Sequence, residues 1–177
     1  MKIVDINTWA PYVGTFMLEF GAVESFTLHL LKKHTSDIVF KHVKNIGLGN
    51  RIKLIKDLIT SSDIDDDIVE RFLDTFKKIE KLAEIRNIIA HNTVKLVFWT
   101  NIEPGDIPYE EALCNDKNDR TITLSELKEH TAELSILVET LYGLDATHRV
   151  RKVANEMEYF QISGLSIAGL DDARPDD

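Results

Sequence analysis

The sequence predicts a mostly α fold, an up-and-down helical bundle with a small β-prone excursion between its central helix and the long helix that follows. Three observations support this. Apolar residues recur at helical spacing along most of the chain, the run Ile64–His91 contains neither Gly nor Pro, and turn-forming residues gather between Asn101 and Arg120. The chain has 177 residues, and domains of about 100–200 residues are usual. A single helical domain over residues 1–160 is therefore expected. Residues 161–177, with Gly164, Gly169, Pro175 and four Asp after Leu170, read as a flexible acidic tail.

Thr8 followed by Pro11 marks a helix start, because Pro is tolerated in a first turn whose N–H groups lack partners anyway. Val13, Phe16, Met17, Phe20, Val23, Phe26, Leu30 and Leu31 carry that helix to about Lys33. A shorter helix over Asp37–Lys44 is broken by Gly47-Leu48-Gly49, and Asn50 is placed to cap the next helix, which runs through Thr60. The central helix starts after Ser61-Ser62-Asp63 and continues from Ile64 to His91 on Ile68, Phe72, Phe76, Ile79, Leu82, Ala83 and Ile89. Val94–Thr100 is β-prone, and the segment to Arg120 suggests one or two short strands. Thr123-Leu124-Ser125-Glu126 matches a capping box for a helix that Gly143 is expected to stop at Tyr142. A last helix spans Ala146–Phe160, with Val150, Val153, Ala154 and Met157 on one side.

Apolar residues make up 44% of the chain and charged residues 29%, which excludes disorder throughout and a fibrous repeat. The formal net charge of −9 excludes a polyanion-wrapping protein, so nucleic acid would have to meet a local basic patch. One exists. Between Lys32 and Lys56 there are seven Lys/Arg against the single acid Asp37, which is either a solvated face or a phosphate-contact surface. Lys41, Lys44, Arg51 and Lys53 are its candidate substrate-binding residues. The lone Cys114 excludes an intrachain disulfide framework and a Cys-based zinc site. Asp5 would interrupt a signal core, and no stretch approaches the ~20 apolar residues of a membrane span. A cytoplasmic protein without membrane contact is expected.

Phosphate-loop, zinc-helix and Gly-x-Ser-x-Gly motifs are all missing. At the end of the central helix polar chemistry interrupts an apolar surface. Leu82, Ala83, Ile85, Ile88, Ile89 and Ala90 surround most of its circumference, and Glu84, Arg86, Asn87 and His91 break in. Such groups must be paired, wetted by a cleft or placed at an oligomer seam. At ~100° per residue, Glu84, Asn87 and His91 share a sector, while Arg86 lies about 140° from His91. Convergence of Arg86 with His91 needs a curled Arg side chain, a helix that ends near His91, or a second copy of the chain. His91 sits where the negative end of the helix dipole favours its protonated form, which suits it to proton transfer. The alternative is a capping His and a salt-bridging Arg.

Arg86-Asn87-Ile88-Ile89-Ala90-His91 resembles the Arg-x4-His motif of the HEPN superfamily, including the polar residue that typically follows the Arg. The resemblance covers Thr8 to Tyr142. It implies a helical bundle that pairs as a homodimer, bringing two motifs to a shared cleft, and a metal-independent endoribonuclease activity with no cofactor. It further implies that His91 transfers protons, Arg86 holds the scissile phosphate and Asn87 orients one of them, with RNA as substrate. A toxin or defence effector held by an antitoxin or other regulatory protein is one expected setting. Asn92, Thr93 and Val94 follow the His where a toxin subset carries a Tyr, which puts control through that Tyr in doubt. The second expectation is a non-catalytic HEPN-like module that dimerises or binds a nucleotide or a partner.

Overall fold

A computed structural model describes residues 4–98, 109–115 and 120–162. The described elements are α1 (Ile6–His34), α2 (Asp37–Val43), α3 (Leu48–Thr60), α4 (Asp66–His91), β1 (Val94–Phe98), β2 (Tyr109–Cys114), β3 (Thr121–Thr123) and α5 (Leu124–Ile162). This is the expected mostly helical bundle with a β excursion between the central and the following helix. Most of the expected acidic tail lies outside the described residues, as do Pro104-Gly105 and Pro108.

Long helices α1, α3, α4 and α5 pack as a bundle in which α1 touches α3 and α5, and α4 touches the same two. Cross-links between side chains fix the directions. Glu19 meets Ser135 and Lys33 meets Asp145, so α1 and α5 run the same way. Lys56 meets Glu80 on one side of α4, and Arg151 reaches Asp65 and Asp67 at its start, so α4 opposes α3 and α5. The short α2 is the return limb that lets α3 rise beside α1.

The core consists of the apolar stripes read from the sequence. Trp9, Phe16, Phe20 and Phe26 of α1 bury against Ile52, Ile55 and Ile59 of α3, Phe72, Phe76 and Ile79 of α4, and Leu127, Leu134 and Leu141 of α5. Phe26 stacks on Phe72 at 6.4 Å and meets Tyr142 edge-on at 4.9 Å. Tyr142 remains half exposed.

Several boundaries differ from expectation for local reasons. Asp5, rather than Thr8, caps α1, its carboxylate accepting from the Asn7 N–H at 3.2 Å, so Pro11 lies inside the helix instead of in its first turn. Gly47 caps α3, and Asn50 falls within it. The capping box is present: Thr123 N–H donates to Glu126 at 2.7 Å and Glu126 N–H donates to Thr123 Oγ1 at 3.2 Å. Gly143 does not end its helix, because α5 runs unbroken for 39 residues. Leu144 and Asp145 beyond it are buried in the bundle, and that packing outweighs the ~1 kcal/mol by which an interior Gly disfavours helix.

The excursion holds three short strands in an antiparallel meander of order β1-β2-β3. Val94 pairs with Leu113 and Leu113 with Ile122, which places the buried Leu113 and Ile122 on the face that joins the core of the bundle. Glu111 ties this sheet to the start of α1, accepting from the buried Trp9 indole N–H at 2.8 Å and the Asp5 N–H at 2.9 Å. The sheet is thereby held beside the last turn of α4.

Candidate active site at the end of the central helix

Helix α4 stops at His91 because Asn92 turns extended, with φ −131 and ψ 166. Its N–H and its side-chain Nδ2 both donate to the Ile88 carbonyl, at 3.1 and 2.9 Å. One carbonyl that the ending helix would leave open is satisfied, and the chain enters β1 two residues later. His91 is thus the last helical residue, exposed, at the negative end of a 26-residue helix.

His91 opens onto a cleft between the end of α4 and the sheet, lined by Glu84, Asn87, Ile88, Asn92, Asn115 and Arg120. Three carboxamides, an imidazole and a guanidinium supply hydrogen-bond donors there. Glu84 accepts from Arg120 at 2.9 Å, an exposed ion pair between two residues that line the cleft. Asn87 and His91 therefore share one wall, as their spacing requires.

Arg86 points elsewhere. Its Nη2 donates to Glu24 of α1 at 3.2 Å, and its guanidinium carbon lies 5.9 Å from the centre of the Phe20 ring. Its Nη1 donates to Asn87 Oδ1 at 3.2 Å. Asn87 is the link between the two halves of the motif, since its oxygen accepts from Arg86 while the residue lines the His91 cleft. Arg86 itself is not among the lining residues.

Glu24 also faces Arg51, whose Nη2 is 3.8 Å from its second oxygen. Arg51 is buried, and its Nε has no hydrogen-bond partner among the described residues. Of the four residues expected to meet phosphate, Lys41 on α2, Lys44 at its C-cap and Lys53 on α3 lie exposed, whereas Arg51 faces inward. Two guanidiniums sharing one carboxylate leave a local positive excess between α1, α3 and α4.

Sequence reasoning missed Glu24, Asn115 and Arg120. Glu24 had a signal, an acid next to Val23 and close to Phe26 of the apolar stripe of α1. Asn115 and Arg120 had none, because their place depends on how the sheet docks. Among the described residues, no cluster of His, Cys, Asp and Glu is arranged to hold a metal ion, and no helix is long and apolar enough to cross a membrane. Compared with protein-family models, with curated proteins and with solved structures, the chain matches none.

Proposed function

We propose that this chain is a metal-independent, HEPN-like endoribonuclease acting as a homodimer at the His91 cleft, with an antitoxin or other regulatory protein as its controlling partner. The observation that carries the reading is the position of Asn87, which binds Arg86 and lines the same cleft as His91. On the last two turns of α4 Asn87 is bonded to Arg86 and shares a cleft with His91, although Arg86 and His91 project from different sides.

In this reading a ribose 2′-oxygen attacks the adjacent phosphorus, the P–O5′ bond breaks, and a 2′,3′-cyclic phosphate remains on the upstream fragment. His91 moves the proton, taking it from the 2′-OH or returning it to the leaving 5′-oxygen. Arg86 offsets charge on the phosphoryl oxygens, its reach completed by a second copy, since within one copy it is held on Glu24. Exposed Lys41, Lys44 and Lys53 would contact the flanking phosphates. The test is cleavage of an oligoribonucleotide beside one carrying a single 2′-deoxy sugar. Loss of scission at the deoxy position alone is expected, and equal cutting there would overturn the mechanism.

A second reading is favoured by one observation, the engagement of Arg86 with Glu24 and Phe20. On that reading the cleft binds a nucleotide or a partner without chemistry, and saturable binding with no turnover would identify it.

A further inference from the structure

The start of α1 leaves an open groove of about 450 Å³ against the end of α4 and the first two strands. Trp9, Val13, Ile89, Val94 and Leu113 give it apolar walls, and among the described residues no charged side chain lines it. Part of its room comes from a missing side chain: Gly14 lines the groove, and a Cβ added there would meet nothing within 4 Å. The indole N–H of Trp9 is already spent on Glu111, which leaves Asn92 and Thr93 as the polar side chains of the lining. Asn92 commits its Nδ2 to the Ile88 carbonyl, so its Oδ1 remains an acceptor. Thr93 is exposed, and its hydroxyl has no partner among the described residues. Asn92 also lines the His91 cleft, so the two depressions meet at one side chain. Ile88 belongs to the cleft and Ile89 to the groove, and the end of α4 is the ridge between them.

We propose that the groove seats one base of a single-stranded RNA, an adenine, while the neighbouring phosphate lies in the His91 cleft; this rests on the reading of that cleft as an RNA site. Continuity through Asn92 selects the occupant. A ligand that spans both depressions needs a charged part for the cleft, where carboxamides, an imidazole and a guanidinium supply donors, and an uncharged, largely apolar part for the groove. A nucleotide is built in that way, with its base about one side chain's width from its phosphate, and unpaired RNA presents splayed bases to such pockets. Adenine suits the lining better than the other bases. A purine buries more apolar surface than a pyrimidine, and guanine brings more polar groups than two uncommitted side-chain atoms can satisfy. The amino N–H of adenine would donate to Asn92 Oδ1, and a ring nitrogen would accept from the Thr93 hydroxyl.

The test is fluorescence anisotropy of the full chain with short, labelled uridine strands whose 2′-O-methyl sugars block attack by the 2′-oxygen. One strand carries a central adenosine, one is uridine throughout, and one has an abasic sugar at the central place. Wild type is expected to bind the adenosine strand about tenfold more tightly than the abasic one, and more tightly than the uridine strand. Gly14→Leu fills the groove and is expected to erase both differences. Gly21→Leu, on the same helix and outside the lining, is expected to keep them, with circular dichroism showing both variants folded. Thr93→Val is expected to narrow the preference for adenosine. Equal binding of the three strands, no binding of any, or a preference that survives Gly14→Leu would overturn the proposal; a groove that takes an apolar peptide instead gives the first of these results. Cleavage of the adenosine strand made with 2′-hydroxyl sugars separates this claim from the chemistry at His91. Scission without base preference overturns the groove and leaves the nuclease, whereas base preference without scission upholds the groove and overturns the nuclease.

Discussion

Glu24 is the residue on which the candidate site's electrostatics turn. It holds Arg86 at 3.2 Å and is the carboxylate nearest the buried Arg51 guanidinium. Removing its charge leaves Arg51 as an uncompensated cation with 8% of its side chain exposed, so Glu24→Gln is expected to cost about 2 kcal/mol of stability. Urea denaturation checks this, and an unchanged midpoint would show that water screens the pair. The same change weakens the hold of α1 on Arg86 to a neutral hydrogen bond while leaving Asn87 in place. The polar residues of the α4 terminus were legible from sequence because Glu84, Arg86, Asn87 and His91 interrupt an apolar surface, and their helical angles already separated Arg86 from His91. The destination of Arg86 was not legible, because it depends on a side chain 62 residues away.

Among the elements, α5 diverges most from its local sequence signals. A helix stop was expected at Gly143, yet burial of Leu144 and Asp145 carries the helix through it. A Cβ added at Gly143 would meet nothing within 4 Å, so Gly143→Ala is expected to stabilise the protein by about 0.5–1 kcal/mol. A thermal scan showing a raised midpoint would support a continuous helix, whereas a lowered one would mean that the chain bends at this point. At the other end of α5, Thr123→Ala removes the capping hydroxyl and is expected to cost about 1 kcal/mol. Equilibrium unfolding with no loss would show that the cap is redundant. Here the sequence was directly readable, since a capping box needs only residues three apart. The third strand was not, because Thr121–Thr123 is too short to carry a periodic signal and exists only as the partner of β2.

For the whole molecule, charge at the end of the bundle ties stability to pH. Asp145 is buried, which alone would raise its pKa, but the Lys33 hydrogen bond and the charges of Lys33, Arg149 and His29 hold it below the usual carboxylate range. His34 and His148 titrate below 6.5, first because burial disfavours their charged forms and then because Lys33 repels a second cation. For each of these three groups the unfolded chain binds protons more readily than the folded one, so stability is full above the unfolded pKa and falls as pH drops. Unfolding free energy is therefore expected to be level above about pH 6.5 and to decline below it, through the histidines first and Asp145 at lower pH. Chemical denaturation across this range checks the sign, and His34→Gln with His148→Gln is expected to flatten the upper part of the decline. Helix order and the position of the β excursion followed from patterning, while the ring of helices around Phe26 and Phe72 emerged only from packing. The most direct measurement at the His91 cleft is incubation of purified wild-type and His91→Ala protein with mixed-sequence RNA in excess chelator, followed by end-group analysis. The expected result is fragments ending in 2′,3′-cyclic phosphate from the wild type alone, with both proteins equally folded. Cleavage that survives His91→Ala, or intact RNA with either protein, would contradict a catalytic role for this site.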